Sequence, residues 1–68
     1  MKEVKISTEY IELQQLLKKE AIISSGGEAK YFLASNDCFV NGEKEVRRGK
    51  KLRPGDVIKV LDKEFIIK

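Results

Sequence analysis

Histidine is absent from this 68-residue chain, which also holds only one cysteine, Cys38, and one proline, Pro54. Without histidine the commonest general base and the commonest metal ligand are missing. A single cysteine excludes an intrachain disulfide and a cysteine-based zinc site. No apolar run approaches the ~20 residues that span a bilayer, and the N-terminus has no signal-peptide core. Neither a nucleophile–base pair nor a phosphate-binding GxxxxGK loop is present. These gaps argue against an enzyme, a metal or other cofactor, a small-molecule substrate and a membrane partner. They leave a reducing cytoplasm as the expected location.

What the chain does contain is charge, unevenly placed. Charged residues make up 37% of the sequence and apolar ones 41%, with a net charge of +3. Residues 1–34 hold five basic and five acidic side chains, whereas residues 35–68 hold nine basic and six acidic ones. The densest segment runs from Lys44 to Arg53, with six cations against the single acid Glu45. Such asymmetry points to an anionic partner on one face. The length fits one small domain over residues 1–68. Such a domain buries only about 60% of the surface its unfolded chain exposes, and has little room for a deep pocket.

Hydrophobic spacing divides the chain in two. Lys2 to Ile6 alternates as a short strand. Ser7 or Thr8 can cap a helix with Glu9 and Glu12 in its first turn, an apolar stripe of Tyr10, Leu13, Leu16 and Leu17, and Lys18 and Lys19 at its end. Ala21 to Ile23 connects to a second helix from about Gly26 to Ala34, introduced by a Ser25–Glu28 capping box and burying Ala29, Phe32 and Leu33. The period then becomes two. Cys38–Val40, Glu43–Val46, Val57–Leu61 and Glu64–Ile67 read as strands. Asn41-Gly42 is a hairpin turn, and Arg53-Pro54-Gly55-Asp56 has the order of a type II turn. Phe32, Phe39, Phe65 and Cys38 are expected in the core. A strand, two helices and four strands make an α+β fold.

The series Ser25-Gly-Gly-Glu-Ala-Lys30, Val40-Asn-Gly42, Arg47-Arg-Gly-Lys-Lys51 and Leu52-Arg-Pro-Gly-Asp56 resembles the S4 RNA-binding domain family. It is most similar to the small stand-alone bacterial S4-like proteins of the YaaA and YbcJ type. The resemblance covers Tyr10 to Val60. It implies the S4-like (alpha-L) fold, with two short helices on a small, bent, mainly antiparallel sheet. It also implies that RNA is gripped at the start of the second helix and by the adjacent basic loop. By that resemblance Ser25, Gly26, Gly27 and Lys30 lie at the helix start, and Asn41, Arg47, Arg48, Lys50 and Lys51 lie on the hairpin and loop side. Many S4 domains carry an arginine after the helix-start serine. A glycine stands here, which removes one phosphate contact.

The residues themselves support a phosphate-binding reading. A helix start offers free backbone N–H groups and a positive dipole end, and glycine lets a phosphate approach. Arginine grips phosphate with paired hydrogen bonds, and lysine adds a point charge. Arg47, Arg48, Lys50, Lys51 and Arg53 form the expected footprint, joined by Lys30 and, through a polar contact, Asn41. Tyr31 fits two roles equally, stacking on a base or covering the core edge. The expected partner is structured RNA, ribosomal or transfer RNA among the candidates, bound by a monomer without catalysis. A module docking an acidic protein through the same face is the alternative, and a sequence-tolerant DNA binder is a second one.

Overall fold

Short runs of alternating or helically spaced apolar residues fold into nine elements in the structure, a computed structural model that describes residues 1–68. In chain order they are β1 (Lys2–Val4), β2 (Ile11–Glu12), α1 (Leu13–Lys19), α2 (Gly26–Ser35), β3 (Cys38–Val40), β4 (Glu43–Lys44), β5 (Lys51–Leu52), β6 (Val57–Val60) and β7 (Lys63–Ile67). Five strands form one sheet in the order β1-β7-β6-β3-β4, and β2 pairs with β5 as a separate ribbon. All pairs are antiparallel except β1 with β7, where Val4 lies opposite Ile67. The fold is therefore α+β with a mainly antiparallel sheet.

The helices supply Leu13, Leu16, Leu17, Ala29 and Leu33 to a single cluster of 14 buried apolar residues, and the sheet supplies Val4, Cys38, Val40, Ile58, Val60, Phe65 and Ile67. Each fully buried leucine or isoleucine contributes about 1.5–3 kcal/mol. Phe32 packs against this cluster from a half-buried position. Phe39 departs from expectation. It alternates with the buried Cys38 and Val40, so it falls on the outer face of β3, half exposed, opposite Lys44 and Lys59. No helix is long and apolar enough to cross a membrane.

Both turn expectations hold. Asn41 and Gly42 have φ of 52° and 84°, the pair of positive values that a two-residue hairpin requires. Gly55 sits at φ 98°, and the Asp56 N–H donates to the Arg53 carbonyl at 3.0 Å, closing the type II turn.

Three local expectations need correction. The first helix does not begin near Thr8. Ile11 and Glu12 are extended and pair with Leu52 and Lys51, so α1 starts at Leu13 with Glu12 as its N-cap. The Glu12 N–H donates to Gln15 Oε1 at 2.7 Å, making Gln15 the residue that reaches back. At α2, Ser25 occupies the cap position but its side chain makes no capping bond. Glu28 instead accepts from the Ser24 N–H at 3.0 Å and from Ser24 Oγ at 2.6 Å, one residue earlier than a capping box demands. Finally, the strand expected over Glu43–Val46 stops at Lys44. The Glu45 carboxylate captures the N–H groups of Val46 and Arg47, which turns the chain away from the sheet.

Candidate functional site

The basic segment between β4 and β5 is short of apolar residues, yet it is held at three places. The first is Glu45. Its side chain is only 9% exposed, and its Oε2 accepts from Val46 N at 3.1 Å, Arg47 N at 2.9 Å and Arg47 Nε at 2.9 Å. Arg47 Nη2 adds a bond to Oε1 at 3.0 Å, so the guanidinium grips the carboxylate with two parallel bonds. That grip holds the Glu45 carboxyl down at about 2, with the partly opposing effect of burial, and raises Arg47 above its ordinary value. Arg47 remains 72% exposed.

The second anchor is the start of α1. The Gln14 N–H donates to the Arg48 carbonyl at 2.9 Å and the Leu13 N–H to the Lys50 carbonyl at 2.8 Å. Two backbone donors that a helix start leaves free are thereby used to fix the loop. The loop's own turn is closed by Lys50 N–H on the Arg47 carbonyl at 3.2 Å, and Leu52 then buries completely as it pairs with Ile11.

The third anchor crosses to the other helix. Arg48 Nη1 donates to the Gly26 carbonyl at 3.3 Å. Basic loop and glycine-rich helix start therefore meet on one side of the molecule. A Cβ at Gly26 would stand 3.0 Å from Gln14 Oε1 on the neighbouring helix, a tight contact with the end of a flexible side chain. At Gly27 nothing lies within 4 Å of where a Cβ would be. Lys30 lies about 40° round α2 from Gly26, one turn onward, and is exposed. Arg48, Lys50, Lys51 and Lys30 enter no ion pair, since the four salt bridges use Lys2, Lys44, Arg47 and Arg53.

The remaining sequence-expected residues sit further out. Asn41 is occupied within the protein: Nδ2 donates to Asp56 Oδ1 at 3.0 Å, and Oδ1 accepts from Val57 N–H at 2.9 Å. It lines a groove of about 380 Å³ whose other walls include Glu45, Arg47 and Lys50. Arg53 leaves the cluster for the β2–β5 ribbon, where Nη1 meets Glu9 Oε1 at 3.2 Å and the guanidinium lies 5.5 Å from the Tyr10 ring centre. Lys51 covers the same ring at 4.9 Å. Ser25 caps by backbone position alone.

Sequence reasoning missed the supporting residues Glu45, Gln14 and Tyr10. Glu45 was the only acid in a cationic run, and an isolated carboxylate among arginines is a signal that it orders them. Nothing local marks Gln14 or Tyr10, because their partners come from Arg48, Lys51 and Arg53 through the β2–β5 pairing. No cluster of three acidic or thiol side chains comes together that would hold a metal ion. What the site offers is four cations without ion-pair partners, three of them on a loop whose backbone is fixed by hydrogen bonds to α1.

The family described as S4 domain matches residues 4–68. The chain is also similar to the Bacillus subtilis (strain 168) protein described as "Probable ribosome maturation protein RlbA", at 47% identity over 57 residues, covering 84% of this chain and 80% of that protein. No solved structure gives a significant match.

Proposed function

The chain belongs to the S4 domain family, and from that membership we propose that it is a non-catalytic module of the bacterial cytoplasm that grips structured RNA between its basic loop and the start of α2. The observation that carries this reading is the Arg48–Gly26 contact at 3.3 Å, which joins the two cationic regions into one surface. Four cations free of acidic partners, Lys30, Arg48, Lys50 and Lys51, are then available for phosphates. Their backbones are fixed before binding, so little ordering is lost when RNA docks. Arg47 contributes less net charge, because Glu45 neutralises it, and serves mainly to shape the loop. Ribosomal RNA is the favoured target, since the similar Bacillus protein is described as a ribosome maturation protein.

Filter binding of a short RNA duplex across a salt series tests this. Four engaged phosphates give a slope of log affinity against log salt of about −3 to −4. The triple substitution Arg48→Ala, Lys50→Ala, Lys51→Ala should bring the slope to about −1 while circular dichroism stays unchanged. An unaltered slope would remove the proposed surface. Complex formation with an acidic protein that survives excess RNA would favour the protein-docking alternative instead.

A further inference from the structure

Tyr31 stands apart from the other aromatic side chains. Phe65 is buried, Phe32 packs on the core, and Tyr10 is half-buried beneath Lys51 and Arg53. Tyr31 is 72% exposed on α2, and no hydrogen bond or cation contact engages it. At about 100° per residue it lies about 160–200° from the buried Ala29 and Leu33, so its ring points away from the core. A large ring left mostly in water adds little to folding, and its sequence neighbours are suggestive. Lys30 is exposed without an ion-pair partner, and round the helix it falls between Tyr31 and the side where Arg48 reaches Gly26. Helical side chains lean toward the N-terminus over the preceding turn, which for Tyr31 is occupied by Gly27 and Glu28. Gly27 presents no side chain there, and Glu28 is drawn back onto Ser24, whose hydrogen bonds lower its pKa.

We infer that Tyr31 and Lys30 form a nucleotide-stacking site, in which an unpaired base of the bound RNA lies on the Tyr31 ring while its phosphate meets Lys30. This rests on the RNA-binding reading and extends its surface along α2 away from the basic loop. Aromatic rings take any base through its π-face, and RNA-binding proteins use them where bases are unpaired. The cations beside the ring suit a nucleotide, whereas an acidic peptide would leave the ring without a planar partner.

The test compares two RNA probes, a blunt duplex and the same duplex with a single unpaired purine bulge. Tyr31→Ala should weaken binding of the bulged probe by about 5- to 150-fold, the range that stacking of one base supplies. It should leave the blunt duplex unchanged, and Tyr31→Phe should behave as the unaltered protein. The chain contains no tryptophan, so Tyr31→Trp introduces a single, selectively excitable tryptophan whose emission should be quenched by the bulged probe and not by the blunt one. Equal losses on both probes, or no loss on either, overturn the stacking site. If duplex binding stays steeply salt-dependent in that case, the RNA-binding reading stands without it. If the unaltered protein binds neither probe, both fail together.

Discussion

Glu45 shows what one buried carboxylate can do in a cationic run. Alone, a charged group so far out of water would be costly, but the Arg47 fork and two backbone N–H groups satisfy its oxygens. Its pKa falls from the ordinary 4.5 to about 2, with the Arg47 side-chain bonds the largest cause. A group whose folded pKa lies below its unfolded one adds stability that is complete above the unfolded value and disappears as pH drops through the folded one. The Glu45 contribution should therefore be whole at pH 6 and fade between about pH 4.5 and 2. Glu45→Ala should cost about 1.5–3 kcal/mol at pH 6, because it removes a charged acceptor and leaves two N–H groups seeking water. Urea unfolding of both proteins at a series of pH values checks this, since their stability difference should shrink toward pH 2. A difference that stays constant with pH would show that Glu45 acts through packing alone. The same substitution should loosen the loop, so RNA affinity should fall even though a negative charge has been removed. Simple electrostatics predicts a rise, and the two outcomes separate preorganisation from charge counting.

Between the helices, the connector stores a different kind of cost. The Ile22 N–H donates to the Leu17 carbonyl at 2.9 Å and the Ala21 N–H to the Lys18 carbonyl at 3.1 Å. This is the paired bonding that ends a helix through a left-handed residue, a position where glycine is usual. Here the residue is Ala21, at φ 59° and exposed. Relief of its Cβ strain outweighs the entropy lost by glycine, so Ala21→Gly should stabilise the fold by up to about 1 kcal/mol. Thermal melting should show a rise of a few degrees, and a fall would mean that the connector's geometry is not strained. The same turn marks the limit of what local sequence discloses. Asn41-Gly42 and Pro54-Gly55 were legible because their φ requirements are written in the residues themselves. Ala21 carries no such mark. Tyr10 and Leu13 fit a helical period, so the extended Ile11–Glu12 pair was hidden until Lys51–Leu52 came alongside it. Phe39 read as core because its hydrophobicity outweighed its place in a two-residue alternation. In the site, the cations and glycines were visible as composition and the Glu45 anchor lies beside Arg47 in sequence, while the other two anchors depend on contacts across more than 20 residues, such as Arg48 to Gly26.

At the scale of the whole molecule, the arrangement separates the folding core from the proposed binding surface. The apolar cluster draws on both helices and the sheet, whereas Arg48, Lys50, Lys51 and Lys30 lie outside it. Neutralising them should cost the fold little, because surface charges rarely contribute more than ~0.5 kcal/mol. A ligand that binds only the folded state, however, stabilises it in proportion to its concentration over its dissociation constant, by about 2.7 kcal/mol at a hundredfold excess. For a domain this small each kcal/mol moves the melting midpoint by roughly 4–8 °C. RNA duplex at that excess in low salt should therefore raise the midpoint by about 10–20 °C. Raising the salt at fixed RNA concentration should abolish the shift, because counterion release drives the binding. The triple Arg48, Lys50 and Lys51 variant should melt within a few degrees of the unaltered protein without RNA and gain almost nothing when the same amount is added. If the variant gains as much as the unaltered protein, the RNA is held elsewhere. If it melts far lower on its own, the loop belongs to the folding core, contrary to its exposure.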